Sequence, residues 1–224
     1  MQNSKKITFS FLVIIFIFSE TILSNEVETI NQKKENWIIR SGFTNVNPQT
    51  NNGDVVSIGD RKNFTTSFTY LYSDHIGIEL LAGLAFKHNI YDKALGTGAK
   101  IASASHLPPT LTVQYYFKNN STFTPYVGLG LNHTLFFKEK TTGPLEGADL
   151  KIGSSTDFAF QIGADWSISD QLTLNLDIRK FKIKSKATVT NVDNSSLRDI
   201  LPNELVFDVP IDPLTIGANL TWHF

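Results

Sequence analysis

Five charged residues lie at polar positions within strongly apolar segments of this 224-residue chain. Two are basic and three are acidic: Arg40, Glu79, Asp165, Asp177 and Arg179. Charges enclosed together in a narrow interior must form pairs or stay hydrated. We therefore interpret the set as a mutually neutralising charge layer that fills an interior. The alternative is a layer that steers a solute past it.

Catalytic chemistry would require a nucleophile, a histidine base and an orienting acid within hydrogen-bond reach. The nearest candidate is His133 beside Thr134, with Glu146 or Asp149 as the acid. In the simplest register, however, His133 lies on the apolar face of its segment and points away from Thr134. The sequence therefore predicts no catalytic residue.

The sequence also lacks signals for a metal, a cofactor or a nucleic-acid partner. The five histidines lack the spacing of metal ligands, and the Gly-rich stretch at 140–151 lacks the spacing of a phosphate-binding loop, so we expect neither a metal nor a cofactor. The formal net charge of −1 gives no sign of a nucleic-acid partner. The chain has no cysteine, which fits passage through an oxidising compartment.

The segments that carry the five charges alternate between apolar and polar residues. The C-terminal segment DPLTIGANLTWHF has this pattern, and seven more segments follow it closely or loosely: WIIRSGFT, NFTTSFTYLY, IGIELLAGLAFK, TLTVQYYF, YVGLGLNHTLFF, TDFAFQIGADWSI and LTLNLDIR. A period of two is typical of a β-strand with one apolar face. The sequence therefore predicts an all-β protein with eight strands.

The connections between these strands alternate in length. Short ones span 73–75, 118–122 and 169–171, whereas long ones span 47–62, 91–105, 138–155 and 187–211. Small residues recur on the polar faces, and aromatic residues crowd the strand ends. Transmembrane barrels have short turns at one end, long loops at the other and aromatic girdles at both interfaces. We predict an eight-stranded antiparallel up-and-down transmembrane β-barrel with its polar faces inside.

The N-terminus indicates export. Lys5 and Lys6 precede an apolar stretch at 7–18, which is shorter than a membrane-spanning helix. We predict a signal peptide at 1–24, cleaved after Ser24, and an outer-membrane barrel at 25–224. A closed barrel must pair its last strand with its first. The terminal Phe224 would then lie at the periplasmic interface and serve as an assembly signal for the barrel assembly machinery.

A family resemblance supports this assignment. The segments HLPPTLTVQYYF, PYVGLGLNHTLFF, GADWSISDQLTLNLDIRKFKIKSKA and DPLTIGANLTWHF, in this order, resemble the outer membrane protein W family. The resemblance implies an eight-stranded barrel in the outer membrane of a Gram-negative bacterium. It also implies a narrow, largely hydrophobic channel for small hydrophobic molecules, with release sideways through the wall. Two alternatives stay open: a structural or receptor barrel with a plugged lumen, and a lipid A-modifying enzyme.

The upper interior is expected to differ from the charge layer. Every second residue of each strand points inward. In the strand that begins at Leu172 these positions become apolar at Phe181 and Ile183, and in the strand IGIELLAGLAFK they include Leu81 and Ala85. These four residues predict an apolar vestibule. Pro108 and Pro109 lie within the fourth predicted strand and cannot donate ladder hydrogen bonds. We predict a lateral opening of the wall there, and the alternative is a strand that simply begins after Pro109.

The segment FKIKSK places lysines at alternate positions, Lys180, Lys182, Lys184 and Lys186, where the lower strand has lipid-facing residues. Lysines just outside the hydrocarbon can bridge lipid phosphates. Outer-membrane lipids and lipopolysaccharide are therefore expected partners, and a solvated strand extension is the alternative interpretation.

Overall fold

A computed structural model describes residues 36–49 and 53–224. The predicted signal peptide at 1–24 lies outside the described residues. Within those residues no helix has the length and apolar character of a membrane span.

The regular secondary structure of the described chain is almost entirely β-strand. In chain order they are β1 (Trp37–Asn47), β2 (Val56–Ile58), β3 (Arg61–Leu71), β4 (Ile76–Gly83), β5 (Phe86–Asp92), β6 (Lys100–Leu107), β7 (Thr110–Tyr116), β8 (Phe123–Thr141), β9 (Asp149–Ile152), β10 (Ser155–Ser167), β11 (Leu172–Phe181), β12 (Lys184–Thr190), β13 (Leu205–Pro210) and β14 (Leu214–His223). Two short 3-10 helices span Gly143–Leu145 and Val192–Asn194.

Eight of these strands form one closed antiparallel ring. The order is β1, β3, β4, β7, β8, β10, β11 and β14, and the ring closes where β14 pairs with β1. At this seam the N–H of Phe224 donates to the carbonyl of Trp37 at 2.9 Å, and the N–H of Trp37 donates back at 3.0 Å. The predicted eight-stranded up-and-down barrel is confirmed.

The alternating side chains divide between the two faces of the wall as expected for a barrel in lipid. Outward-facing apolar residues are about half exposed, as in Leu129 and Leu176, whereas inward-facing polar residues such as Glu79 and Gln114 are fully buried. A glycine makes room for the interior at one point. A Cβ added to Gly163 would lie 2.4 Å from the Tyr126 ring, so only glycine leaves space for that inward tyrosine.

Two predicted strands are interrupted at the upper end of the barrel, which is the end opposite Phe224. The segment IGIELLAGLAFK is not one strand, because β4 ends at Gly83 and β5 begins at Phe86. The prolines separate β6 from β7 on the neighbouring segment. Since both breaks lie side by side, the wall loses its regular pairing at one level.

The long connections are more ordered than the sequence predicted. Stretches expected to be loops contain β2, most of β6, β9, most of β12 and β13. Strands β2, β5 and β6 continue the sheet from the upper half of β8, and β13, β12 and β9 form a separate three-stranded sheet. Apolar side chains from both sheets pack into one core, including Val56, Ile90, Val189 and Val209. Packing between distant segments therefore organises the upper end.

The outward face of the barrel yields a test of the lipid assignment. Leu176 lies mid-strand in β11 with 51% of its surface exposed, and Ile200 lies in an upper loop with 63% exposed. An arginine facing hydrocarbon near the bilayer midplane is costly, whereas an arginine in water is not. We expect Leu176→Arg to lower the free energy of unfolding by about 2–4 kcal/mol. Ile200→Arg should change it by less than about 0.5 kcal/mol.

The measurement is urea unfolding of the protein in phosphocholine vesicles, and Ile200→Arg is the matched control for exposure and substitution type. Equal tolerance of both arginines would contradict the assignment of this face to lipid.

Candidate functional site

The five charged residues singled out in the sequence meet in the barrel interior. Arg40 Nη2 lies 2.9 Å from Asp165 Oδ2, and Arg40 Nη1 lies 3.6 Å from Glu79 Oε2. Glu79 Oε1 accepts from Arg179 Nη1 at 2.8 Å, and Arg179 Nη2 donates to Asp177 Oδ2 at 2.6 Å. Glu79 therefore joins the two arginines into one chain of ion pairs. We call these five residues the charge layer.

Uncharged polar groups complete this level of the barrel. Arg40 Nη2 also donates to the Tyr116 hydroxyl at 3.0 Å, and the Arg40 guanidinium lies 5.2 Å from the Tyr126 ring centroid. Gln161 donates to Asp177 at 3.2 Å, and Asn175 donates to Asp165 at 2.7 Å. All of these side chains are almost completely buried. They fill the interior at this level with hydrogen-bonded groups.

Sequence reasoning did not assign the two tyrosines to this cluster. Tyr116 lies two residues after the inward-facing Gln114, and Tyr126 lies two residues before the inward-facing Gly128. Both tyrosines therefore occupy inward-facing positions of their strands. The phase alone would have placed them inside.

An apolar cavity of about 320 Å³ lies at the upper end, between the strands β2, β5 and β6 and the three-stranded sheet. Its lining is mostly aliphatic and includes Val56, Ile90, Ile101, Val189 and Val209. Ligand cavities in proteins span about 300–1,000 Å³. The cavity is therefore large enough for one small apolar molecule.

The residues predicted to form a vestibule lie at different places. Ile183 lines the large cavity. Phe181 packs with Ile183 and Leu81, and it lines a narrow space of about 20 Å³ that also touches Arg179. Ala85 is exposed and lines neither space, so its prediction is wrong. The inward phase is not kept there because β4 has already ended at Gly83.

The prolines lie where strand pairing is interrupted. Pairing between β4 and β7 ends at Leu81 and Thr110, and pairing between β5 and β6 begins at Phe86 and His106. Within the described structure no backbone pairing joins residues 82–85 to residues 107–109. On its other side this segment stays bound to β8, because the Pro109 carbonyl accepts from the N–H of His133 at 2.9 Å. We call this interruption the wall gap.

The candidate catalytic pair does not assemble. His133 is exposed, and its Nδ1 lies 2.7 Å from Thr156 Oγ1, whereas Thr134 is buried and donates to Asn132 Oδ1 at 2.6 Å. The described part of the chain holds no group of three or more side chains suited to a metal ion.

A closed eight-stranded barrel with an apolar exterior and a hydrogen-bonded interior defines the class of outer-membrane β-barrels. The OmpW family model matches residues 33–224, and the chain belongs to this family. The chain is 34% identical to outer membrane protein W of Vibrio cholerae over 183 residues, covering 76% of this chain and 84% of that protein.

Two further similarities extend the comparison. The crystal structure of the outer membrane protein OprG from Pseudomonas aeruginosa superposes with a TM-score of 0.76 at 29% identity, covering 85% of this chain and 96% of that one. The dibenzothiophene metabolism operon protein PahQ of the same species is 24% identical over 198 residues, covering 84% of this chain and 88% of PahQ. These findings place the protein in the outer membrane, and its relatives are outer-membrane barrel proteins. Its upper end is therefore the extracellular end.

The charge layer yields a stability prediction. Removing one partner of a buried ion pair leaves an uncompensated charge and costs about 3–5 kcal/mol. We expect Arg179→Gln to lower the free energy of unfolding by about this amount, because Asp177 and Glu79 both lose their closest cation. Adding Asp177→Asn should recover part of the loss, since the net charge of the layer is then restored.

Urea unfolding of the two single variants and the double variant measures this coupling. Strictly additive losses would contradict the interpretation of these residues as one ion-paired unit.

Proposed function

We propose that the barrel takes up small hydrophobic molecules in its extracellular cavity and releases them sideways into the outer membrane. The observation that carries this proposal is the position of the apolar cavity, which lies directly above an ion-paired, hydrogen-bonded layer. An apolar solute gains free energy on entering the cavity, because apolar surface leaves water.

Continued passage along the barrel axis is unfavourable for such a solute. It would have to separate the pairs that join Arg40, Glu79 and Arg179, and an apolar molecule offers those groups no hydrogen bonds in return. The charge layer therefore acts as a floor.

The wall gap supplies an exit of lower cost. Opening a barrel wall elsewhere breaks ladder hydrogen bonds, which hydrocarbon cannot replace. Between residues 82–85 and 107–109 these bonds are already missing. The narrow space beside the gap touches Leu81, Pro108 and Phe181, so its lining is largely apolar on the side of the cavity. The name of the relative PahQ places that protein in the metabolism of an apolar aromatic compound, which supports the same class of solute.

A structural or receptor barrel with a plugged lumen is the second candidate, and the buried charge layer favours it equally. The exposed lysines Lys182, Lys184 and Lys186 would then anchor the barrel among lipopolysaccharide phosphates. The two candidates differ in solute uptake, which a plugged structural barrel would not support.

The lateral route can be tested by closing the wall gap. The chain has no native cysteine, so Ala85→Cys and Leu107→Cys give a unique thiol pair across the gap for a short bismaleimide crosslinker. We expect crosslinking to lower the initial rate of phenanthrene entry into cells by about tenfold, because the exit is blocked.

The control pair is Ile78→Cys with Val113→Cys. These two residues are paired directly between β4 and β7 with exposed side chains, so crosslinking them closes nothing. Unchanged uptake after crosslinking the gap would contradict lateral release.

The route can also be tested from inside the barrel. Phe181→Asp places a charge between the cavity and the gap, so we expect it to lower phenanthrene uptake several-fold. The double change Asp177→Asn and Arg179→Gln weakens the charge layer but leaves the lateral route through the wall gap intact, so uptake should stay unchanged. Both variants are compared at equal amounts of folded barrel, judged by heat-modifiable electrophoretic mobility. Loss of uptake in the double variant with normal uptake in Phe181→Asp would indicate an axial pore.

A further inference from the structure

Two histidines lie in the mostly apolar wall of the extracellular cavity. His88 of β5 and His106 of β6 both line it, with only 6% and 8% of their surfaces exposed. Their rings are stacked, with centroids 5.0 Å apart and an interplanar angle of 25°. The stack continues to Phe86, whose ring lies 5.4 Å from that of His106. Both imidazoles are therefore held in fixed positions by ring packing.

The other polar side chains that line the cavity already have partners. Asp92 accepts from the N–H groups of Leu95 and Thr97 at 3.0 and 2.9 Å. Thr141 donates to the Ala148 carbonyl at 2.7 Å, and Thr134 donates to Asn132. These groups have satisfied their main hydrogen bonds within the protein. The histidine pair differs from them in this respect.

The hydrogen bond of His88 determines which nitrogen is free. Its Nδ1 lies 2.6 Å from the Gly59 carbonyl, which can only accept, so Nδ1 carries the hydrogen. Burial lowers the pKa of His88, and the ring is neutral. Its Nε2 is therefore an acceptor, and this atom is buried without a hydrogen-bond partner among the described residues. A buried acceptor without a partner is a cost that a ligand donor would remove.

His106 complements that acceptor. Its ring stacks on those of His88 and Phe86 beside the cavity, and a neutral imidazole carries one donor and one acceptor. A hydroxyl group can donate to one nitrogen and accept from another. The stacked pair therefore offers one hydroxyl the two bonds it prefers.

We propose that His88 and His106 recognise a single hydroxyl group on an otherwise apolar solute, so that the cavity favours alcohols and phenols over the corresponding hydrocarbons. The hydroxyl donates to His88 Nε2 and accepts from the ring N–H of His106, while the hydrocarbon part contacts the aliphatic lining. This inference rests on the proposed uptake function, because it assigns the substrate class of the same cavity. A site with a buried polar group discriminates against an analogue that leaves the group unpaired.

The test compares naphthol with naphthalene, which differ by one hydroxyl group. Initial uptake of both is measured by fluorescence in cells that carry the native barrel, His88→Leu, His88→Gln or the control Ile78→Leu, which lies on the outer face of β4 away from the cavity. We expect His88→Leu to lower naphthol uptake about tenfold relative to naphthalene. His88→Gln retains an acceptor and should recover part of the preference, and Ile78→Leu should change neither rate.

The outcomes separate the inference from the function on which it rests. An unchanged ratio of naphthol to naphthalene uptake in His88→Leu overturns the inference and leaves hydrophobic uptake intact. An equal fall for both solutes also overturns it, because His88 would then act only in packing. If neither solute enters native cells faster than cells without the barrel, the proposed function itself fails.

A second measurement covers variants that do not fold. Nitrogen NMR of the native barrel in bilayers reports on each imidazole directly. Naphthol should shift the Nε2 signal of His88, whereas naphthalene should not. His75 is the internal control, because its Nδ1 lies 2.9 Å from the Tyr116 carbonyl at the opposite end of the barrel. No shift at His88 with saturating naphthol would overturn the proposal.

Discussion

Hydrocarbon offers no hydrogen bonds, and this constraint underlies the whole structure. A sheet in lipid must pair every backbone N–H and carbonyl within itself, so it has to close. The seam between Trp37 and Phe224 achieves closure at the last residue of the chain. Closure in turn sends one face of every strand into an enclosed interior and the other into lipid. The polar residues that alternate along the strands are therefore forced together inside.

The interior charges follow from this enclosure. Isolated charges in a narrow barrel would be destabilising, and here two arginines and three carboxylates are joined through Glu79. The same arrangement that stabilises the interior removes an axial path for apolar molecules. Above the charge layer the outer face of the chain no longer contacts lipid. There the upper strands and the three-stranded sheet form an apolar cavity. The wall gap lies at the boundary between these two levels.

The parts of this architecture that could be predicted from the sequence are those set by local pattern. Alternation along each strand predicted the barrel and placed Arg40, Glu79 and Arg179 on inward faces, because a period of two is read within one segment. The order of the upper end depends on pairing between distant segments, as between β2 and β5, and no local pattern records it. Ala85 shows the same limit, because the alternation of inward and outward side chains stops where strand pairing ends at Gly83. The stacking of His88 on His106 likewise depends on the register of β5 against β6.

The central claim is that apolar solutes reach the cavity and the wall gap but do not cross the charge layer. Paramagnetic relaxation in solid-state NMR of the barrel in bilayers, with a small apolar nitroxide as solute, tests this directly. Ile90 and Ile183 line the cavity, Pro108 lies at the gap, and Thr173 and Thr221 are buried towards the end of the barrel that carries Phe224. The account predicts strong relaxation at the first three residues and none above background at the two threonines. Relaxation at Thr173 and Thr221 as strong as that at Ile90 would contradict it.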